Sequence, residues 1–146
     1  MPLPEFNEFG ELPEGRHSAT LDEVLARFGS GTSQRRAVTN RLRRIHQLAA
    51  ATGQLDCLVV FGSYVTDATE PNDVDVVVVM RNDFQAENCP TEASLLFDHS
   101  RANDELGASV FWIRPDMLFG ESLEQFFEFW QTTREGRRRG IVEIRP

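Results

Sequence analysis

A run of valines most constrains what this chain can fold into. Residues 74–80 read V-D-V-V-V-V-M, and a second apolar run, L-D-C-L-V-V-F, occupies residues 55–61. Short continuous runs of β-branched and other apolar residues are typical of strands that are covered on both faces. We therefore expect two buried strands that form the start of a sheet, with other elements packed against it.

Helices and further strands are predicted on either side of this pair. The capping pattern of Thr20 and Glu23 indicates a short helix over 20–29, and apolar residues at helical spacing indicate a longer one over 32–53. The later elements are a short helix near 91–99, a strand at 108–115, a helix within 120–136 and a strand at 140–144. This order predicts an α/β or α+β fold in which helices pack on a small mixed sheet.

The composition fits a single domain over residues 1–146, in which residues 1–19 form an N-terminal arm of extended chain and turns. Apolar residues make up 40% of the chain and charged residues 26%, as expected of a chain that buries a core. No segment approaches the roughly 18 apolar residues of a membrane span, and the first residues do not resemble a signal peptide. We therefore expect a cytoplasmic protein without a membrane partner.

The net charge is acidic, but the cations are clustered. The formal net charge of -8 disfavours bulk attraction to nucleic acid, and all fifteen basic residues are arginine. Five of them fall within 35–44, where we predict mainly a charged outer helix face; contact with nucleic acid, an acceptor or a partner protein is the alternative. Four more, Arg134 among them, fall within 134–139, which we interpret as a turn that neutralises nearby acids.

Two carboxylates stand at the entrance of the valine strand. Asp73 and Asp75 are two residues apart, so on a strand they project from the same face and repel each other. A divalent cation such as Mg²⁺, which is held by one or two carboxylates plus water and phosphate oxygens, would remove this repulsion. The alternative is a solvated strand edge. We favour a metal site formed by Asp73 and Asp75.

A glycine and a serine follow the first buried strand directly. Gly62 lets the backbone turn sharply and approach a ligand, and a helix that begins at Ser63 would point its free N-H groups and hydroxyl at a phosphate. The two halves of the predicted site would then bind phosphate and metal respectively.

The stretch FGSYVTDATEPNDVDVVVVM resembles the Gly-Ser plus Asp-x-Asp signature of the DNA-polymerase-β-like nucleotidyltransferase superfamily. The opening FNEFGELPEGRHSATLDEVLARFG and the closing FFEFWQTTREGRRRGIVEI are similar to a poorly characterised bacterial family of small nucleotidyltransferase-like proteins. The resemblance implies that fold, and transfer of a nucleoside monophosphate from a Mg²⁺-bound nucleoside triphosphate to a hydroxyl of a protein, nucleic acid or small molecule. It assigns Gly62 and Ser63 to the nucleotide phosphates, and Asp73 and Asp75 to the metal.

The resemblance also implies a third carboxylate on a neighbouring strand, where this chain has Ser109. Asp104, Glu105 and Glu143 are possible substitutes, although each is more simply interpreted as a solvated acid. Two hypotheses therefore remain open: a nucleotidyltransferase, whose acceptor by analogy with minimal superfamily members is a partner toxin, and a catalytically weak or inactive module that binds nucleotide or a partner.

Aromatic residues in the late helix are expected to be core. Phe126, Phe127 and Trp130 share a helical face, whereas Phe129 points elsewhere. A base-stacking surface on this helix is the alternative. In the strand at 108–115, one of the neighbours Phe111 and Trp112 must face away from the core, and an exposed aromatic side chain there would indicate an interface.

Overall fold

The computed structural model describes residues 3–133 and 135–146. Within these ranges the chain forms five β-strands and four α-helices, joined by loops and short 3-10 helices. In chain order the elements are β1 (Arg16–Ala19), α1 (Leu21–Phe28), α2 (Ser33–Ala51), β2 (Leu55–Phe61), β3 (Asp75–Met80), α3 (His99–Leu106), β4 (Ser109–Ile113), α4 (Leu123–Trp130) and β5 (Ile141–Ile144). The predicted mixed architecture, with helices packed on a small sheet, is confirmed.

The sheet has the strand order β1-β5-β2-β3-β4. The two apolar runs, β2 and β3, lie at its centre and are antiparallel, with Val60 opposite Val76. On either side β5 runs antiparallel to β2, while β4 runs parallel to β3 and β1 runs parallel to β5. Because β2 and β3 are flanked by strands and covered on both faces, their near-continuous apolar sequence is accounted for.

Two apolar clusters sandwich the sheet. Val76 and Val78 of β3 belong to the larger cluster, which α1, α2 and the 3-10 helix Thr91–Phe97 cover. Val77 and Val79 point the other way and pack with Phe127 of α4. The strand period of two thus assigns Asp75 to the α4 face, on the same side as Val77.

One arginine of α2 is buried rather than on the outer face of the helix. The Nη1 group of Arg35 donates to the carbonyl oxygens of Phe28 at 3.2 Å and Tyr64 at 2.8 Å. Its Nη2 group donates to the carbonyl oxygens of Thr66, at 3.1 Å, and Ala68. Arg35 therefore fixes the loop that follows β2. Other arginines of this helix, such as Arg36, Arg43 and Arg44, are exposed as predicted.

Three local features differ from the sequence-based predictions. The expected arm contains a strand, β1, and the helix expected near 91–99 is a 3-10 helix followed by α3 at His99–Leu106. The helix that we considered at Ser63 is a single 3-10 turn, Ser63–Val65. None of the helices described by the structure combines the length and apolar character needed to cross a membrane.

Candidate active site

Asp75 lies where three strands come together. It is the first residue of β3, and its register partners are Phe61, the last residue of β2, and Ser109, the first residue of β4. The side chain is half-buried on the face that α4 covers. The carboxylate is therefore held by the centre of the sheet, which gives it a rigid position.

Gly62 is adapted to this carboxylate. Its φ is +81°, a conformation that residues with a side chain rarely adopt, and a Cβ built on it would collide with Oδ2 of Asp75. The turn after β2 and the carboxylate at the start of β3 are thus in direct contact. A glycine at this position is required both by the backbone conformation and by the neighbouring acid.

Asp73 and Ser109 complete the acidic end of the site. Asp73 lies in the loop just before β3 rather than within the strand. The Ser109 hydroxyl donates to Oδ2 of Asp73 at 3.4 Å. Burial, and then the nearby charge of Asp73, raise the pKa of the Asp75 carboxyl to about 6, while Ser109 and Arg139 act in the opposite direction. The expected placement of both acids on one strand face is wrong, because β3 begins only at Asp75.

The turn at Ser63 is short and firmly held. Thr66 donates to the carbonyl oxygen of Ser63 through both its amide, at 3.2 Å, and its hydroxyl, at 2.6 Å. A single 3-10 turn lacks the aligned peptide dipoles of an α-helix, so the predicted helix-dipole attraction for phosphate is not available here. Any phosphate contact at Gly62 and Ser63 would rely on local N-H groups and the Ser63 hydroxyl.

A cleft of about 670 Å³ opens beside Asp75. Gly62, Asp75 and Ser109 line one part of it, and Arg139 supplies a cation. The remaining lining residues are Phe61, Phe111, Phe129, Trp130, Thr132 and Thr133. The cleft thus combines charged groups with an aromatic surface, a combination that is common in sites for small charged ligands with an apolar part.

Arg139 is positioned by a buried acid from the other end of the described chain. Its Nη1 group donates to Oε2 of Glu11 at 3.1 Å. Arg137 donates to the two oxygens of the same carboxylate, at 2.9 and 3.1 Å. The Glu11 side chain is only 5% exposed, and the hydrogen bond from Arg137 is the largest cause of the lowering of its pKa. The arginine cluster therefore neutralises an acid, as predicted; Arg134 lies outside the described residues.

None of the three acids considered as substitutes for a third carboxylate lines the cleft. Glu143 is paired with Arg16 at 2.8 Å and with Arg145 at 2.6 Å. Glu105 is paired with Arg101 on α3, and Asp104 is exposed on the same helix. Asp75 is the one acidic residue among the described residues that line the cleft.

The site offers few carboxylates, so a cation held there would need other ligands to complete its coordination shell. Among the described residues, no group of three or more His, Cys, Asp or Glu side chains is placed to hold a metal. Mg²⁺ needs only one or two carboxylates when water and substrate phosphates complete its shell. The charge of Asp73 contributes to the raised pKa of Asp75, and a divalent cation held between two such carboxylates would offset their repulsion. If the site takes Mg²⁺, Asp73 and Asp75 are the carboxylates that would hold it, although only Asp75 lines the cleft itself.

No sequence pattern indicates that Glu11, Arg139 and the aromatic lining residues belong to one site. The clustering of arginines in 137–139 was a signal for Arg139, but nothing local connects it with Glu11. The sequence predicts only that Phe129 leaves the apolar helical face and that one of the neighbours Phe111 and Trp112 faces away from the core; Phe129 is 70% exposed and Phe111 is 37% exposed.

Comparison with known proteins assigns the chain to a family. Searches of curated proteins and of solved structures return no match. A family model described as a family of unknown function, DUF6932, matches residues 4–145 and thus nearly the whole chain. The chain therefore belongs to the DUF6932 family.

Proposed function

We propose that this protein is a Mg²⁺-dependent nucleotidyltransferase, which transfers a nucleoside monophosphate from a nucleoside triphosphate to an acceptor hydroxyl. The observation that carries the proposal is the contact between Gly62 and the Asp75 carboxylate in a cleft that also contains Arg139. The resemblance of the Gly-Ser and Asp-x-Asp stretch to polymerase-β-like nucleotidyltransferases supports the same assignment.

Each group has a role that follows from its chemistry. Asp73 and Asp75 hold the metal, and Gly62 with Ser63 contacts the phosphates through the turn after β2. Arg139 faces the same cleft and offsets phosphate charge, while Glu11 keeps its guanidinium in place. When bound, Mg²⁺ supplies stabilisation of the charge that develops on the phosphoryl oxygens. The chain's main contribution is to position the reactants.

The acceptor is a hydroxyl from outside the cleft. A partner protein, such as a cognate toxin, is the acceptor suggested by analogy with minimal nucleotidyltransferases, and a nucleic-acid hydroxyl is the other class. We propose a cytoplasmic location, where nucleoside triphosphates are available.

A second candidate function is nucleotide binding without transfer. Ser109 favours it, because this residue lies opposite Asp75 where the resemblance implies a third carboxylate, and a serine hydroxyl is a poor base near neutral pH. In this case the protein would act as a nucleotide- or partner-binding module of antitoxin type.

The two functions can be separated by following the label of α-³²P-labelled ATP, GTP, CTP and UTP. The purified protein is incubated with each nucleotide and Mg²⁺, with and without host lysate, and labelled products are resolved on gels. Asp73→Asn and Asp75→Asn are compared with Asp104→Asn, a matched substitution of an exposed acid outside the cleft.

The transferase predicts label transfer that Asp73→Asn and Asp75→Asn lose and Asp104→Asn retains. Calorimetric binding of Mg²⁺-nucleotide without transfer in any lysate would support the binding module. Transfer or binding that Asp73→Asn and Asp75→Asn retain as fully as Asp104→Asn would exclude the assigned metal ligands. The absence of both transfer and binding in the wild type would exclude both functions.

A further inference from the structure

The aromatic part of the cleft is built around Trp130. Its ring lies 4.6 Å from that of Phe61 and 5.1 Å from that of Phe111, measured between centroids. Phe129 meets it edge-on, with an interplanar angle of 86° and centroids 5.0 Å apart. We call these four residues the aromatic wall. All four line the cleft that contains Asp75 and Arg139.

Phe129 is the unusual member of the wall. Its side chain is 70% exposed, whereas Phe127, two residues earlier on α4, is fully buried in the core. The fold therefore gains little from a phenylalanine at position 129. A flat apolar ligand that stacks in the cleft would cover this ring, and an aromatic side chain offers such a surface at low conformational cost.

Most hydroxyl groups beside the wall already donate a hydrogen bond within the protein. Thr132 donates to the carbonyl oxygen of Glu128 at 3.3 Å, and the Thr133 hydroxyl accepts from the amide of Arg137 at 3.0 Å. Ser109 donates to Asp73. Among the described lining residues, Thr133 is therefore the one hydroxyl that donates none of these bonds, and the edge of a ligand ring meets few free side-chain donors.

From these contacts we infer that the aromatic wall binds the base of the nucleotide by stacking and selects purines over pyrimidines without distinguishing adenine from guanine. This inference rests on the proposed function, because it takes a nucleotide to be the ligand. A larger ring system covers more of the wall, so purines bind more tightly. Discrimination between adenine and guanine requires hydrogen bonds of fixed direction to the base edge. The Thr133 hydroxyl can donate to a carbonyl or accept from an amino group, so it gives little discrimination between the two purines.

Isothermal titration calorimetry of the full chain with the four Mg²⁺-nucleoside triphosphates measures this selectivity. We expect ATP and GTP to agree within about threefold and both to bind at least about threefold more tightly than CTP and UTP. Phe129→Ala should weaken purine binding about fivefold or more and reduce the purine preference. Phe119→Ala is the matched control, since Phe119 is 96% exposed and does not line the cleft. Thermal unfolding checks that both variants fold.

Equal binding of purines and pyrimidines would overturn the inference, as would a preference between ATP and GTP well above threefold or a Phe129→Ala variant that behaves like Phe119→Ala. Two further probes separate it from the proposed function. If Mg²⁺-tripolyphosphate binds and the nucleotides show no purine preference, the phosphate site is supported and the base site is contradicted. Binding of adenosine and guanosine that Phe129→Ala weakens, without binding of Mg²⁺-tripolyphosphate, supports the base site and contradicts the proposed transferase.

Discussion

The Asp75 carboxylate lies so close to the α-carbon of Gly62 that a side-chain carbon on residue 62 would overlap its Oδ2 atom. This contact joins the turn after one central strand to the start of the next. It makes the two sequence motifs, Gly-Ser and Asp-x-Asp, parts of one geometric unit.

The first prediction concerns this contact. Gly62→Ala should lower the free energy of unfolding, measured by urea denaturation, by at least about 1 kcal/mol more than Gly120→Ala. Gly120 is the control because its φ of +86° is also positive, while a Cβ there meets nothing within 4 Å. In an Asp75→Ala background the cost of Gly62→Ala should fall toward that of the control. An unchanged cost in that background would contradict the contact.

The second prediction uses the pKa of Asp75, which burial and the charge of Asp73 raise from 3.8 to about 6. Because the folded protein binds this proton more tightly than the unfolded chain does, the ionised carboxylate destabilises the fold. Its cost is absent below about pH 4, grows between about pH 4 and about pH 6, and is complete above that. In EDTA at pH 8, Asp75→Asn should therefore raise the free energy of unfolding by about 1–2 kcal/mol, a value reduced for partial solvent exposure.

The control for this effect is Asp104→Asn, at an exposed position on α3. It should change stability little at either pH 4 or pH 8. Addition of Mg²⁺ at pH 8 should raise the melting temperature of the wild type and not that of Asp75→Asn. A wild-type melting temperature that does not respond to Mg²⁺ would argue against the metal site.

A third prediction follows from the register between Asp75 and Ser109. Ser109→Asp adds a third carboxylate next to two that already repel. Without divalent cations it should be less stable than Ser109→Asn, which has a similar size and no charge. With Mg²⁺ the order should reverse, and calorimetric Mg²⁺ affinity should increase. If Ser109→Asp and Ser109→Asn respond equally to Mg²⁺, residue 109 does not face the metal ligands.

The fourth prediction tests the anchor of the loop after β2. Arg35→Met removes the donors to four carbonyl groups, those of Phe28, Tyr64, Thr66 and Ala68. Because these bonds are mostly buried and charge-assisted, the free energy of unfolding should fall by about 3 kcal/mol or more. Arg43→Met, on the exposed side of the same helix, should change it by less than about 0.5 kcal/mol. Similar losses in the two variants would contradict the anchoring role.

Elements with a strong apolar period were predictable from the sequence. The paired strands β2 and β3, the helix α2 and the buried face of α4 all follow patterns of residues such as Val76, Leu42 and Phe127, which the structure buries. The helix α3 was missed because Ala102 is its one buried residue, so its sequence carries no apolar stripe. Asp98 as its N-cap and Gly107, with φ of +64°, were the available signals.

Contacts between distant segments were not predictable. β1 has no apolar run, and its four residues are extended because they pair with β5. The same holds at the site. Strand alternation was used to place Asp73 and Asp75 on one strand face, but Asp73 lies in the loop before β3. The bond from Arg139 to Glu11 joins residues 128 positions apart, and no local sequence pattern indicates it.

That long-range bond has a consequence for folding kinetics. Closing a loop of this length is entropically costly, so contacts between residues 11–19 and 137–144 are expected to form after the local β2–β3 hairpin and the helices have condensed. Arg139 therefore reaches its place beside Asp75 only in the last steps of folding. Amide protons of β1 and β5 should accordingly exchange with solvent through partial openings that leave β2 and β3 protected.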